Sequence, residues 1–330
     1  MQFIYQWNIR GNMIQISNKN IILTAAILLM IGLIFFISYE VTKKSGVVDI
    51  DHLTKLAENG NAEAQTDLGL AYGNGNGVAK DYIKALHWYN KSALQGYAQA
   101  QFNLGLYYEH GWGTIKNIRL AIEWYTKAAE QNMVNAQVNL GTLYVTTLGT
   151  ERNYSEGKKW LLKAAEKNNT VAMNNLGQIY VHGLGVEKDN AQAEKWYLRA
   201  VALGSMSARN SLGAFYGKGL GHHPKDFDKA LPLVEASACQ GYVQAQMNLA
   251  SFYMENDGEA PVDYRKSYAW YYSVYKNGVS EAMNNLILLK KMMNDKDFIE
   301  AEKMALKYSK QYHSPATEDD VYRSKECPVL

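Results

Sequence analysis

AEAQTDLGLAYGNGNGVAKDYIKALHWYNKSALQGY, residues 62–97, runs straight into AQAQFNLGLYYEHGWGTIKNIRLAIEWYTKAAEQNM, residues 98–133. The two stretches align residue for residue, and the frame continues to Gly278. Alanines mark it at Ala64, Ala100, Ala136, Ala172, Ala208, Ala245 and Ala282, and leucines at Leu68, Leu104, Leu140, Leu176, Leu212, Leu249 and Leu286; the step is 36 residues four times, then 37 twice. Tyr72, Tyr108, Tyr144, Tyr180, Tyr216 and Tyr253 follow four places after the leucines. Self-similarity at a fixed period of this size marks a stacked repeat array, here six full repeats and a seventh first helix.

Within one repeat, Ala64, Leu68 and Tyr72 stand at i, i+4 and i+8 and share one face of a first helix. Gly75 and Gly77 end that helix. A second helix opens at Asp81, whose equivalents are Asn117, Asn153, Asp189, Asp226 and Asp263, short oxygen-bearing side chains suited to capping free backbone amides. Ala85, Trp88 and Ala93, matched by Ala121, Trp124 and Ala129, supply the small and aromatic positions where helices interlock. Gly96, Gly204, Gly241 and Gly278 close the second helix, with Asn132 and Asn168 in the remaining places. The predicted fold class is all-α, an α/α superhelical solenoid of helix pairs.

The unit A-x-A-x-x-x-L-G-x-x-Y-x-x-G-x-G-V-x-x-D-x-x-K-A-x-x-W-Y-x-K-A-A-x-x-G resembles the Sel-one-like repeat (SLR), a relative of the tetratricopeptide repeat (TPR). The resemblance spans residues 62–289 and rests on the period of 36 and the extra G-x-G turn, as in Gly111-Trp112-Gly113 and Gly183-Leu184-Gly185. Departures fall at Thr147 and Asn256 for the first turn glycine, Leu233 for the tryptophan and Ala250 for the helix glycine. The family resemblance implies a non-enzymatic adaptor or scaffold that binds another protein on the concave face of its superhelix. It also implies an alternative: an immunity protein that binds and inhibits a toxic secreted effector, such as an interbacterial lipase, in the periplasm.

If first helices line the concave face, as in related helical-pair solenoids, the positions before the aligned leucines face a partner: Asp67, Asn103, Asn139, Asn175, Ser211, Asn248 and Asn285. An asparagine amide can donate to and accept from a peptide backbone, or equally bond neighbouring repeats together; both readings stand. Phe102, Leu106, Val138 and Val145 form a candidate apolar strip for the same partner, or are buried between repeats. The candidate partner-binding set is therefore Asn103, Asn139, Asn175, Asn248, Phe102, Leu106, Val138 and Val145.

Ahead of the array, residues 21–37, IILTAAILLMIGLIFFI, carry no charge and are flanked by Lys19, Lys43 and Lys44. An uncharged run of this length reads as a membrane helix, and no small-x-small cleavage pattern follows it. The expected organisation is an N-terminal flank at 1–20, a transmembrane anchor at 21–39, a linker at 40–48, the solenoid at 49–312 with full repeats over 62–278 and capping helices at both ends, and a loose tail at 313–330. The expected localisation is a single-pass membrane protein of the bacterial inner membrane, N-terminus inside and repeats in the periplasm.

The balance of 34 basic and 32 acidic residues, net +2, gives no field that would make nucleic acid the partner. There is no G-x-S-x-G, no H-E-x-x-H, no phosphate loop and no dinucleotide fingerprint, so neither catalytic residues nor a cofactor nor a small-molecule substrate is expected. The adjacent His222 and His223 would hold a metal only if carboxylates converged on them, and none is expected to. Cys239 and Cys327 are the only cysteines; spacing leaves a bridge and a free pair equally open.

Overall fold

A computed structural model of the chain describes residues 49–147, 151–220, 224–254 and 262–312, together with a two-residue antiparallel strand pair, β1 (Asn8–Ile9) and β2 (Asn12–Met13). Two compact units divide it, residues 1–116 and 117–330. The first holds α1 (Ile50–Glu58), α2 (Ala62–Asn74), α3 (Tyr82–Leu94) and α4 (Ala98–His110). The second begins with α5 (Ile118–Glu130), α6 (Val134–Thr146), α7 (Tyr154–Glu166), α8 (Thr170–His182), α9 (Asn190–Ala202) and α10 (Met206–Gly217). It continues with α11 (Phe227–Cys239), α12 (Val243–Met254), α13 (Tyr264–Lys276), α14 (Ala282–Met292) and α15 (Asp295–Gln311). The fold class is all-α, a solenoid of helix pairs.

Each helix ends where the sequence directs. Asp81, Asn117, Asn153, Asp189, Asp226 and Asp263 all accept backbone N–H groups in the first turn of a second helix. Such a cap contributes about 1 kcal/mol. After the second helices the chain turns with φ of +89° at Gly96, and Asn132 and Asn168 reach +66° and +62°, the left-handed region that asparagine tolerates.

Paired helices run antiparallel. Thr66 bonds Ser92, Gly69 lies under Tyr89 and Gly73 beside Ala85, a descending register along α3. A Cβ on Gly69 would sit 2.8 Å from the Tyr89 ring, so glycine at this point sets how closely α2 and α3 approach. The aligned alanines and leucines form the core: Ala100, Leu104, Ala136, Leu140, Ala172, Leu176, Ala208, Ala245 and Leu249 are 0% exposed. At the C-terminal end Trp270 is equally buried, with Tyr308 of the last helix and Tyr312 just past its end packed on its ring at 4.7 and 5.2 Å.

One expectation requires correction. Among the described residues no helix is long and apolar enough to cross a membrane. The run 21–39, expected to be a transmembrane anchor, lies outside the described residues, as do His222 and His223 and the tail 313–330. The single-pass membrane localisation, and the periplasmic placement that rested on it, are withdrawn. The cysteine question takes a definite turn: Cys239, 1% exposed at the end of α11, is disulfide-bonded, and the chain's other cysteine is Cys327.

Candidate functional site

The asparagines before the aligned leucines reach across helices. Asn175 Nδ2 on α8 donates to Thr142 Oγ1 on α6 at 2.8 Å, and Asn248 Nδ2 on α12 donates to Asn210 Oδ1 on α10 at 2.8 Å. Asn139 Nδ2 makes a longer contact, 3.4 Å, to the Tyr125 hydroxyl, while Asn103 accepts from Gln99 within α4. Asn175 and Asn248 thus link successive first helices, and all four amides remain half-buried with lone pairs and N–H groups to spare. Phe102 and Leu106 on α4 are half-buried, whereas Val138 is 7% exposed and Val145 packs beside it against the core of the second unit.

Between α8 and α10 no such link forms. There the position before the leucine is Ser211, too short to span to Gln178 as Asn175 spans to Thr142. Three residues on, Ala214 stands where α2 and α4 carry Leu70 and Leu106. Two shortened side chains on one turn leave a cavity of about 150 Å³, walled by Val181, Tyr197 and Phe215 and rimmed by Gln178, His182 and Lys218. The walls are nearly closed to solvent, at 6%, 1% and 2% exposure. Burial pushes the Tyr197 hydroxyl well above its ordinary range, so it stays a neutral donor. His182 Nε2 and Gln178 Oε1 lie 3.2 Å apart on the rim, and Lys218 makes no ion pair among the described residues.

Charge is distributed unevenly between the two helices of a pair. The first helices α6, α8, α10 and α12 contain no Asp or Glu, while α5, α7, α9 and α11 all carry carboxylates. Arg209, His182 and Lys218 are the ionisable groups that α8, α10 and the end of α10 contribute besides tyrosine. What this face can do chemically is hydrogen-bond an extended backbone, seat an apolar side chain and favour negative charge. Among the described residues no three His, Cys, Asp or Glu side chains converge as metal ligands.

Sequence reasoning missed one buried set. Gln65, Gln101, Gln137 and Gln246, three places before the aligned leucines, each donate Nε2 to the carbonyl eight residues back: Ala57, Ala93, Ala129 and Ala238. The Ala-Gln pair recurring at 64–65, 100–101, 136–137 and 245–246 was the available signal. In repeat four Met173 takes this place, and Arg199 of α9 reaches the corresponding Ala165 carbonyl at 3.1 Å instead. Gln246 does more, donating also to the Tyr312 carbonyl and accepting from Ser273 and Asn277.

The comparisons with known proteins agree with this geometry. The Sel1 repeat model matches residues 62–97, 98–133, 134–169, 170–205, 207–242 and 243–279. No curated protein matches. Among solved structures, c5321, a protective antigen of uropathogenic Escherichia coli with an SLR fold, is 31% identical at a TM-score of 0.69, over 81% of this chain. This chain spans only 57% of that protein's length. A Sel1 repeat protein from Oxalobacter formigenes is 36% identical at a TM-score of 0.62, over 71% of this chain and 94% of its own. The immunity protein Pa5087 of Pseudomonas aeruginosa is 19% identical over 80% of this chain and 88% of its own, at a TM-score of 0.43, too slight a likeness to carry an argument. With six matched repeats covering most of the chain, this protein belongs to the Sel1 repeat family.

Proposed function

We propose that this protein is a non-enzymatic adaptor that holds a segment of another protein against its first helices, with no cofactor and no small-molecule substrate. The observation that carries the reading is the face of α6, α8, α10 and α12: half-buried amides and hydroxyls at Asn139, Thr142, Asn175, Gln178, Ser211 and Asn248, with no carboxylate among them. Thr142, Asn175 and Asn248 are already anchored by inter-helix bonds, so they meet an extended backbone without first being ordered. Asn103, Phe102 and Leu106 offer α4 of the first unit as a separate contact of the same sort.

The test is a pull-down with the full chain, followed by mass spectrometry of what elutes, beside an Asn139→Ala, Asn175→Ala, Asn248→Ala triple variant. Partners retained by the parent and lost by the variant are expected; equal capture by both refutes the face. A single stoichiometric enzyme, silenced on binding, would replace the adaptor by the inhibitor of a toxic effector.

A further inference from the structure

We infer that the cavity between repeats four and five is a specificity pocket for an aromatic side chain of an extended, acidic partner segment. This deepens the protein-binding reading and rests on it. Three observations converge. A largely apolar cavity of about 150 Å³ is the size that admits a benzene ring, and Tyr197 and Phe215 present rings of their own for edge or offset contact with it. Polar groups line it as well: Asn210 is 6% exposed with its Oδ1 taken by Asn248, Ser211 and Gln178 can bond the backbone that carries the ring, and Lys218 stands exposed without a carboxylate partner among the described residues. The surrounding first helices hold no Asp or Glu to compete for it.

Geometry selects where the negative charge lies on the partner. In an extended segment successive side chains point to opposite faces, so the neighbour of a buried ring points away from the wall. The residue two places along returns to the same face, roughly 7 Å further on, and this is the residue that meets Lys218. The pocket accordingly recognises an aromatic residue with Asp or Glu two places away on either side. Its specificity is local to repeat five, because Ser211 and Ala214 replace the Asn and Leu that other repeats of this chain carry at those places.

The experiment uses the full chain and acetylated, amidated pentapeptides of glycine with phenylalanine and glutamate at the second and fourth places in both orders, read by saturation-transfer NMR. Ring-proton signals are expected with at least one order and not when alanine replaces its phenylalanine. Ala214→Leu and Ser211→Asn each install a side chain found at the same place in another repeat; both are expected to weaken binding at least about tenfold by filling the pocket, with the melting temperature kept. Should Ala214→Leu fold poorly, Ser211→Asn alone decides. Lys218→Gln is expected to weaken the glutamate peptide about threefold and leave a glutamine peptide unchanged. Equal ring signals in the parent and the filled variants overturn the proposal. So does tighter binding of a pentapeptide that ends in a free phenylalanine carboxylate. Pentapeptide failure beside a successful pull-down sinks the pocket alone; an empty pull-down sinks the protein-binding reading itself.

Discussion

Two glutamines at one repeat position should respond oppositely to the same substitution. Gln246, 0% exposed, makes four bonds: Nε2 to the Ala238 and Tyr312 carbonyls at 3.1 and 2.6 Å, and Oε1 from Ser273 and Asn277 at 3.2 and 3.3 Å. Gln137, 1% exposed, makes one, to the Ala129 carbonyl at 3.2 Å, and its Oε1 is buried with no partner. Replacing Gln246 by Leu forfeits four contacts at about 1 kcal/mol each. Apolar burial returns about 1–2 kcal/mol, leaving a net loss of roughly 2–3 kcal/mol. At Gln137→Leu one bond is lost, while the desolvation penalty of an orphaned acceptor, about 1–3 kcal/mol, is relieved; stability should stay level or rise by about 1 kcal/mol. Met173, fully buried at the same position in repeat four, shows that the site accepts an apolar side chain. Urea unfolding followed by far-UV circular dichroism reads both variants, with an early transition of the C-terminal helices expected for Gln246→Leu because neighbouring repeats unfold as coupled but separable elements. Losses equal within about 0.5 kcal/mol would refute the hydrogen-bond account.

Leu140→Ala, at a 0% exposed position of the second unit, should destabilise by about 2–5 kcal/mol in the same assay, whereas Asn139→Ala beside it should change the midpoint little; similar losses would deny that the two neighbours have different roles. Cys239 is disulfide-bonded. Removal of that bond by reductant or by Cys239→Ser should lower stability by about 2–5 kcal/mol. The bond from Gln246 to Tyr312 brings the end of α15 next to the end of α11, where Cys239 lies, and an unfolding curve indifferent to reductant would remove the bridge from the account. Burial raises the hydroxyls of Tyr89, Tyr107, Tyr197, Tyr216, Tyr253 and Tyr308 above the ordinary value of 10.0, Tyr107 to about 12. Their unfolded counterparts ionise first, so the stability they lend is complete below pH 10 and falls as pH rises beyond it. Absorbance at the phenolate band should then climb cooperatively with unfolding; a smooth titration in the native state would contradict this.

The sequence by itself determined the repeat, the length of each helix and the residues at its ends. These are local demands: Asp81 or Asn117 caps the helix that starts beside it, Gly96 or Asn132 takes the left-handed turn that follows, and Ala100 and Leu104 recur wherever two helices approach. The period repeats them, and so they are legible. The tertiary structure alone decided where the repeated polar groups spend their hydrogen bonds. Asn175 and Asn248 occupy the same place in their repeats, yet one finds Thr142 and the other Asn210, because the partner belongs to a neighbouring helix whose sequence has drifted independently. Arg199 standing in for a missing glutamine, four bonds converging on Gln246, and a cavity opened by Ser211 and Ala214 between α8 and α10 have the same origin. Each depends on a distance between side chains from different helices, and a distance of that kind is fixed only when the helices pack.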